Sequence, residues 1–138
     1  MLIDDFSLAS VPGNDRVAAE RVASSVRELS LSTRRLDNLR TAVAEAALNA
    51  IEHGNNFADD KPVGVQVFVA DNALNVTVSD RGGGCDREVS IEPDLAAKLR
   101  GEQSPRGWGL FLIRNMVDAC WDESDGDTHR VHLQLQLS

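Results

Sequence analysis

No run of this sequence stays apolar for the ~20 residues that a helix needs to cross a bilayer. Its first residues, MLIDDFSLASVPG, carry acids where a secretory leader needs a basic region followed by an apolar run. Basic clusters are absent too. The formal net charge is −8, from 14 lysines and arginines against 22 aspartates and glutamates, which argues against duplex DNA or an anionic membrane as the main partner. Tyrosine is missing altogether, and four phenylalanines and two tryptophans are the only aromatics. Cysteine is nearly absent: Cys85 and Cys120 lie far apart without metal-ligand spacing, and they read as reduced thiols rather than as a disulfide or a metal site. These absences predict a soluble, cytosolic protein with no nucleic-acid and no membrane partner. Any phosphate it binds would be held by backbone amides, a metal ion or a few arginines.

What is present suits a single domain over residues 1–138, long enough to bury about two-thirds of its unfolded surface. No internal repeat, low-complexity tract or linker interrupts it. DDFSLAS reads as a first strand closed by the turn residues VPGN. Over residues 15–29, Val17, Val22, Val26 and Leu29 recur at near-helical spacing among charges. A second helix is expected over about 33–53, with Ser32 or Thr33 as its N-cap and Gly54, Asn55 and Asn56 stopping it. Val63, Val65, Val67 and Val69 alternate as in a strand, DN at 71–72 signals a turn, and Leu74, Val76 and Val78 resume the alternation, so a hairpin is predicted. Residues 85–105 are charged and weakly patterned, with Pro93 placed to start a short helix. GWGLFLIRNMVD predicts a third helix, and ACWDES and THRVHLQLQLS two closing strands around the turn DGD. This order predicts an α+β fold: a two-layer α/β sandwich with a mostly antiparallel, mixed sheet and helices on one face.

Three segments carry chemistry. In AVAEAALNAIEHGNN, residues 42–56, Glu45, Asn49 and His53 fall at successive fourth positions and form one polar stripe, while Leu39, Val43, Ala46, Ala47 and Ala50 gather on another face. A polar stripe is ordinarily the wet side of a helix. A carboxylate and a carboxamide one turn apart can also divide two tasks on a nucleotide: Asn49 offers a neutral oxygen to a hard cation such as Mg²⁺, and Glu45 can take a proton from an attacking hydroxyl. His53 has two readings, a local cap of the helix end and a ligand contact. DRGGG, residues 80–84, follows a buried strand; by itself it reads first as a glycine-rich turn. Asp80 beside such glycines can also accept a hydrogen bond from an exocyclic amine such as adenine N6, worth roughly 1.5–3 kcal/mol for a charged acceptor. In PRGWGLFLIRN, Gly107 and Gly109 fall in a first helical turn, either as a flexible entry or as a way to present free N–H groups to a phosphate. No Gly-Lys-Ser/Thr and no strand-to-helix G-x-G-x-x-G occurs, so neither a Walker loop nor a dinucleotide fingerprint is present.

Taken in order, EAALNAIEHG, DRGGG and RGWGL resemble the N, G1 and G2 boxes of the GHKL ATPases, which share the Bergerat ATP-binding fold. Within them, the small size and the form E-A-x-x-N-A-x-x-H-G resemble the bacterial anti-sigma factor serine/threonine kinases, over about residues 5–135. The resemblance implies ATP and Mg²⁺ as cofactors, Glu45 as general base and Asn49 as Mg²⁺ ligand, with His53 closing the same motif. It implies Asp80 as the reader of adenine, with Gly82 and Gly84 shaping its pocket. Gly107, Trp108, Gly109 and Leu110 match the loop and helix start that wrap the phosphates, and residues 85–105 match the ATP lid. Arg106 stands one position closer to the glycine than the arginine of the kinase group, and Thr128 matches a threonine of the C-terminal strand near the adenine. The implied function is phosphorylation of a serine or threonine on a STAS-type anti-sigma factor antagonist, coupled to reversible binding of a sigma factor, in a group where homodimers are common. The competing readings are a nucleotide-binding anti-sigma or scaffold module without kinase activity, and a histidine-kinase catalytic domain. No dimerisation helix with a phosphoacceptor histidine precedes the boxes, since His53, His129 and His132 all lie in other contexts.

Overall fold

A computed structural model describes residues 1–58, 60–81 and 113–137. Its strands are β1 (Leu2–Leu8), β2 (Val63–Ala70), β3 (Ala73–Asp80), β4 (Ala119–Asp125) and β5 (Thr128–Gln136). They form one sheet in the order β1-β2-β3-β5-β4, and every pairing is antiparallel. Two helices, α1 (Asn14–Ser25) and α2 (Thr33–Asn49), pack against it. The fold is thus α+β, in two layers.

The alternation seen in the valines sets which side of the sheet is buried. Val63, Val65 and Val67 on β2, Val76 and Val78 on β3, and Val131, Leu133 and Leu135 on β5 point into the core. They meet Ala18, Val22 and Val26 from the first helical segment and Leu39, Val43, Ala46, Ala47 and Ala50 from the second. Alanine dominates the inner face of α2, and small side chains let its backbone lie close to the sheet. The β2–β3 hairpin closes through Asp71 and Asn72, both left-handed at φ 53° and 58°, as a two-residue turn that follows the strand twist requires. Ser32 is the N-cap of α2, its hydroxyl accepting from the Arg35 N–H at 3.2 Å. Arg35 also pairs with Asp118 at 3.2 Å, tying the start of α2 to the strand β4 that follows Asp118.

Three boundaries differ from expectation. β1 lies two residues earlier than DDFSLAS, because Ser10 leaves the sheet and donates its hydroxyl to the Lys61 carbonyl. The first helix ends at Ser25 and gives way to a 3₁₀ turn over Arg27–Leu29. The second keeps α geometry only to Asn49; Ala50–Gly54 form a π turn, in which the Asn55 N–H reaches the Ala50 carbonyl at 2.8 Å. Gly54 does not end this segment by adopting left-handed backbone. That conformation falls to Asn56 and Phe57, at φ 49° and 58°. Of the third helix, residues 113–116 are described and helical, with Ile113 fully buried.

Candidate functional site

The site begins on α2. Glu45 and Asn49 occupy successive turns of one helix face and both are half-buried. Among the described residues, neither side chain makes a hydrogen bond or ion pair. A half-buried carboxylate with no partner among the described residues is available for other work. His53 lies on the π turn and is exposed.

The π turn carries the chain from this stripe to the end of β3. Gly54 lies so close to Asp80 that a methyl group built on it would overlap the carboxylate. Glycine is required here by contact, and the wider turn delivers that contact. Asp80 itself is 2% exposed. Beyond it, Asn55 organises the chain. Buried to 1% exposure, its amide nitrogen donates to Ser10 Oγ at 2.9 Å, to the Lys61 carbonyl at 2.7 Å and to the Pro62 carbonyl at 3.2 Å. Its carbonyl oxygen accepts from the Arg81 N–H at 2.8 Å. One side chain thereby clamps the loop after β1, the loop before β2 and the residue next to Asp80.

The other flank of Asp80 is β5. The ladder sets Asp80 opposite His129. His129 Nδ1 lies 3.5 Å from Asp80 Oδ2, and its Nε2 lies 2.8 Å from Asp122 Oδ2 on β4. The imidazole is buried between two carboxylates. On the same face of β4 the half-buried Cys120 thiol is pushed up to about 11 by burial, an effect that Asp122 reinforces and Arg114 opposes.

The structure therefore brings Asp80 together with the end of the segment that carries Glu45 and Asn49. Thr128 sits beside the β4–β5 turn, paired with Asp125, and its side chain alternates away from that of His129. His129, not Thr128, is the β5 residue against Asp80. Gly82, Gly84, Arg106, Gly107, Trp108, Gly109 and Leu110 lie outside the described residues, as does the segment 85–105. Sequence reasoning read Asn55 only as a helix stop and did not select His129 or Asp122. A polar residue buried by a network has no periodic signature, and the His129 pairing depends on a strand register that one residue would change.

Among the described residues, a five-stranded antiparallel sheet covered by helices, with a Glu–Asn stripe on the helix whose end contacts a strand-end aspartate, fits the nucleotide-binding domain class indicated by the three boxes. Residues 9–137 match the histidine kinase-like ATPase domain, and the chain belongs to that family. It is similar to the anti-sigma F factor of Geobacillus stearothermophilus, 34% identical over 113 residues that cover 81% of this chain and 76% of that protein. It is also similar to the anti-sigma F factor of Bacillus velezensis, 32% identical over 137 residues, 96% and 92% of the two chains. Among solved structures, the RsbU and RsbW domains of a Mycobacterium tuberculosis protein superpose with a TM-score of 0.65 at 15% identity, over 96% of this chain. The present chain spans about a third (32%) of that longer one. Acinetobacter baumannii histidine kinase AdeS superposes with a TM-score of 0.52 at 10% identity, over 100% of this chain and 70% of the other. These two likenesses concern the fold. Among the described residues no helix is long and apolar enough to cross a membrane.

Proposed function

We propose that this chain is a cytoplasmic, single-domain ATP-dependent serine/threonine kinase. It phosphorylates a STAS-type anti-sigma factor antagonist, reversibly binds a sigma factor, and works as a homodimer. The observation that carries the kinase reading is Glu45: a half-buried carboxylate with no partner among the described residues, one turn before Asn49. The name carried by the curated relatives, anti-sigma F factor, supports the partner classes.

In this reading Asp80 accepts from the adenine amine, and Gly82 and Gly84 leave room for the base. Arg106, Gly107, Trp108, Gly109 and Leu110 surround the phosphates, and His53 and Thr128 border the nucleotide. Mg²⁺ suits the donor set. Asn49 offers a hard neutral oxygen, and since no group of three or more acidic, histidine or cysteine side chains able to hold a metal ion forms among the described residues, the remaining ligands would be phosphate oxygens and water. When bound, the cation neutralises charge on the phosphates. Glu45 takes the hydroxyl proton of the substrate serine as that oxygen bonds to the γ-phosphorus; the bond from this phosphorus to the β–γ bridging oxygen breaks, and ADP leaves. Phosphoryl transfer of this kind rests mainly on positioning and charge stabilisation.

The test is transfer of radiolabel from ATP to the antagonist, alongside nucleotide-binding measurements. Glu45→Gln keeps size and polarity but loses the base, and should lower transfer by roughly 10²–10⁴-fold while nucleotide affinity barely moves. Asn49→Ala should lose Mg²⁺-dependent ATP affinity and transfer together. A wild-type protein that binds ATP and its partners but transfers nothing would make it a binding module; full activity in Glu45→Gln would remove the carboxylate from the chemistry.

A further inference from the structure

Asp122, His129 and Asp80 form a line from the edge of the sheet to the buried end of β3, with the imidazole 2.8 Å from one carboxylate and 3.5 Å from the other. Exposure falls along the line: Asp122 is 15% exposed at its side chain, His129 4% and Asp80 2%. An ionised carboxylate only accepts hydrogen bonds, so Nε2 bonds Asp122 by donating, while Nδ1 faces Asp80 at the longer ion-pair distance. The bond to Asp122 fixes the ring's orientation. The other nitrogen then meets Asp80 from one side, while Gly54 leaves no room on another for the carboxylate to turn away.

Resting on the reading of Asp80 as the base-recognising residue, we propose that His129 is a positioning residue for nucleotide recognition: held by Asp122, it sets the orientation of the Asp80 carboxylate, so that adenine preference depends on the Nδ1 side of its ring. The packing role of His129 and this role make opposite demands on substitution. Asparagine places an N–H near the Nδ1 position and can still reach Asp80. Glutamine places its amide nearer the Nε2 position and can still reach Asp122 but abandons Asp80.

ADP and GDP are titrated by calorimetry into the wild-type protein, His129→Asn and His129→Gln, with circular dichroism to confirm folding. His129→Gln should weaken ADP about tenfold, as expected for losing a charge-assisted contact, and should narrow the preference over GDP. His129→Asn should stay within about threefold of wild type in ADP affinity. The reverse order, or equal affinity in all three, overturns the proposal. A measurement on the wild-type protein alone guards against variants that do not fold: adding ADP should shift the ¹⁵N signals of the His129 ring, and an unmoved ring overturns the proposal. If the wild-type protein binds no ADP, the reading of Asp80 fails first and takes this one with it. If it binds ADP with adenine preference and the His129 tests fail, only this inference falls.

Discussion

Gly54 and Asp80 are in contact: the α-carbon of one fills the space beside the carboxylate of the other, and a single methyl group would overlap it. Asp80 is nearly fully buried and flanked by His129, so it cannot swing clear. Gly54→Ala should destabilise the protein by about 1–3 kcal/mol in urea unfolding, the usual cost of overpacking. The same substitution in an Asp80→Ala background should cost less, because the clashing carboxylate is gone. Additive costs in the double-mutant cycle would show that the contact is not what demands glycine.

Asn55 makes a second, separable prediction. Asn55→Ala strands the Arg81 N–H and removes the donor shared by Ser10 and two carbonyls, and should cost about 2–4 kcal/mol from unsatisfied buried groups. Asn55→Asp should cost more than Asn55→Ala, since a carboxylate cannot donate to the Lys61 and Pro62 carbonyls. Chemical denaturation of the two variants decides it; equal stability to wild type in either would contradict the clamp.

Nucleotide choice should follow Asp80. Asp80→Asn can turn an N–H toward the adenine amine, and ATP affinity should fall about tenfold or more while GTP affinity changes little. Equal binding of ATP and GTP by the unaltered protein, measured by competition, would remove the adenine assignment.

The thiol of Cys120 gives a pH prediction. Burial raises its pKa from 9.0 to about 11, so the folded protein holds this proton more tightly than the unfolded chain does. The associated stability is fully present below pH 9 and is lost as pH rises toward about 11. In a Cys85→Ser background, Cys120→Ser should remove that decline from the curve of unfolding free energy against pH. Iodoacetamide should also label native Cys120 slowly at pH 8 and quickly once the chain is unfolded.

The valine alternation of residues 63–69 and 74–78, and the DN turn between them, made the hairpin readable, since a sheet with one buried face imposes its period on sequence. The Glu45–Asn49 stripe was readable for the matching reason on a helix. The π turn was not. Its residues, Ala50 to Gly54, keep a pattern compatible with the α-helix, and its end meets β3, a distant part of the chain. His129 could not be read as a neighbour of Asp80, because only the β3–β5 register places it there. Local periodicity reaches the elements; it does not reach polar groups whose meaning comes from a partner many residues away.

The placement of β5 between β3 and β4 has a consequence for how the chain is made. A ribosome delivers Asp80 well before the strand that will lie beside it, and among the described residues β4 pairs only with that same late strand. Until residues 128–136 emerge, a growing chain can form its helices and the β1–β2–β3 ladder but presents β3 as an open edge, a template for joining other unfinished chains. The Asp80–His129 pairing therefore forms only after residues 128–136 have been made, and until then the edge of β3 is open to any other strand that meets it.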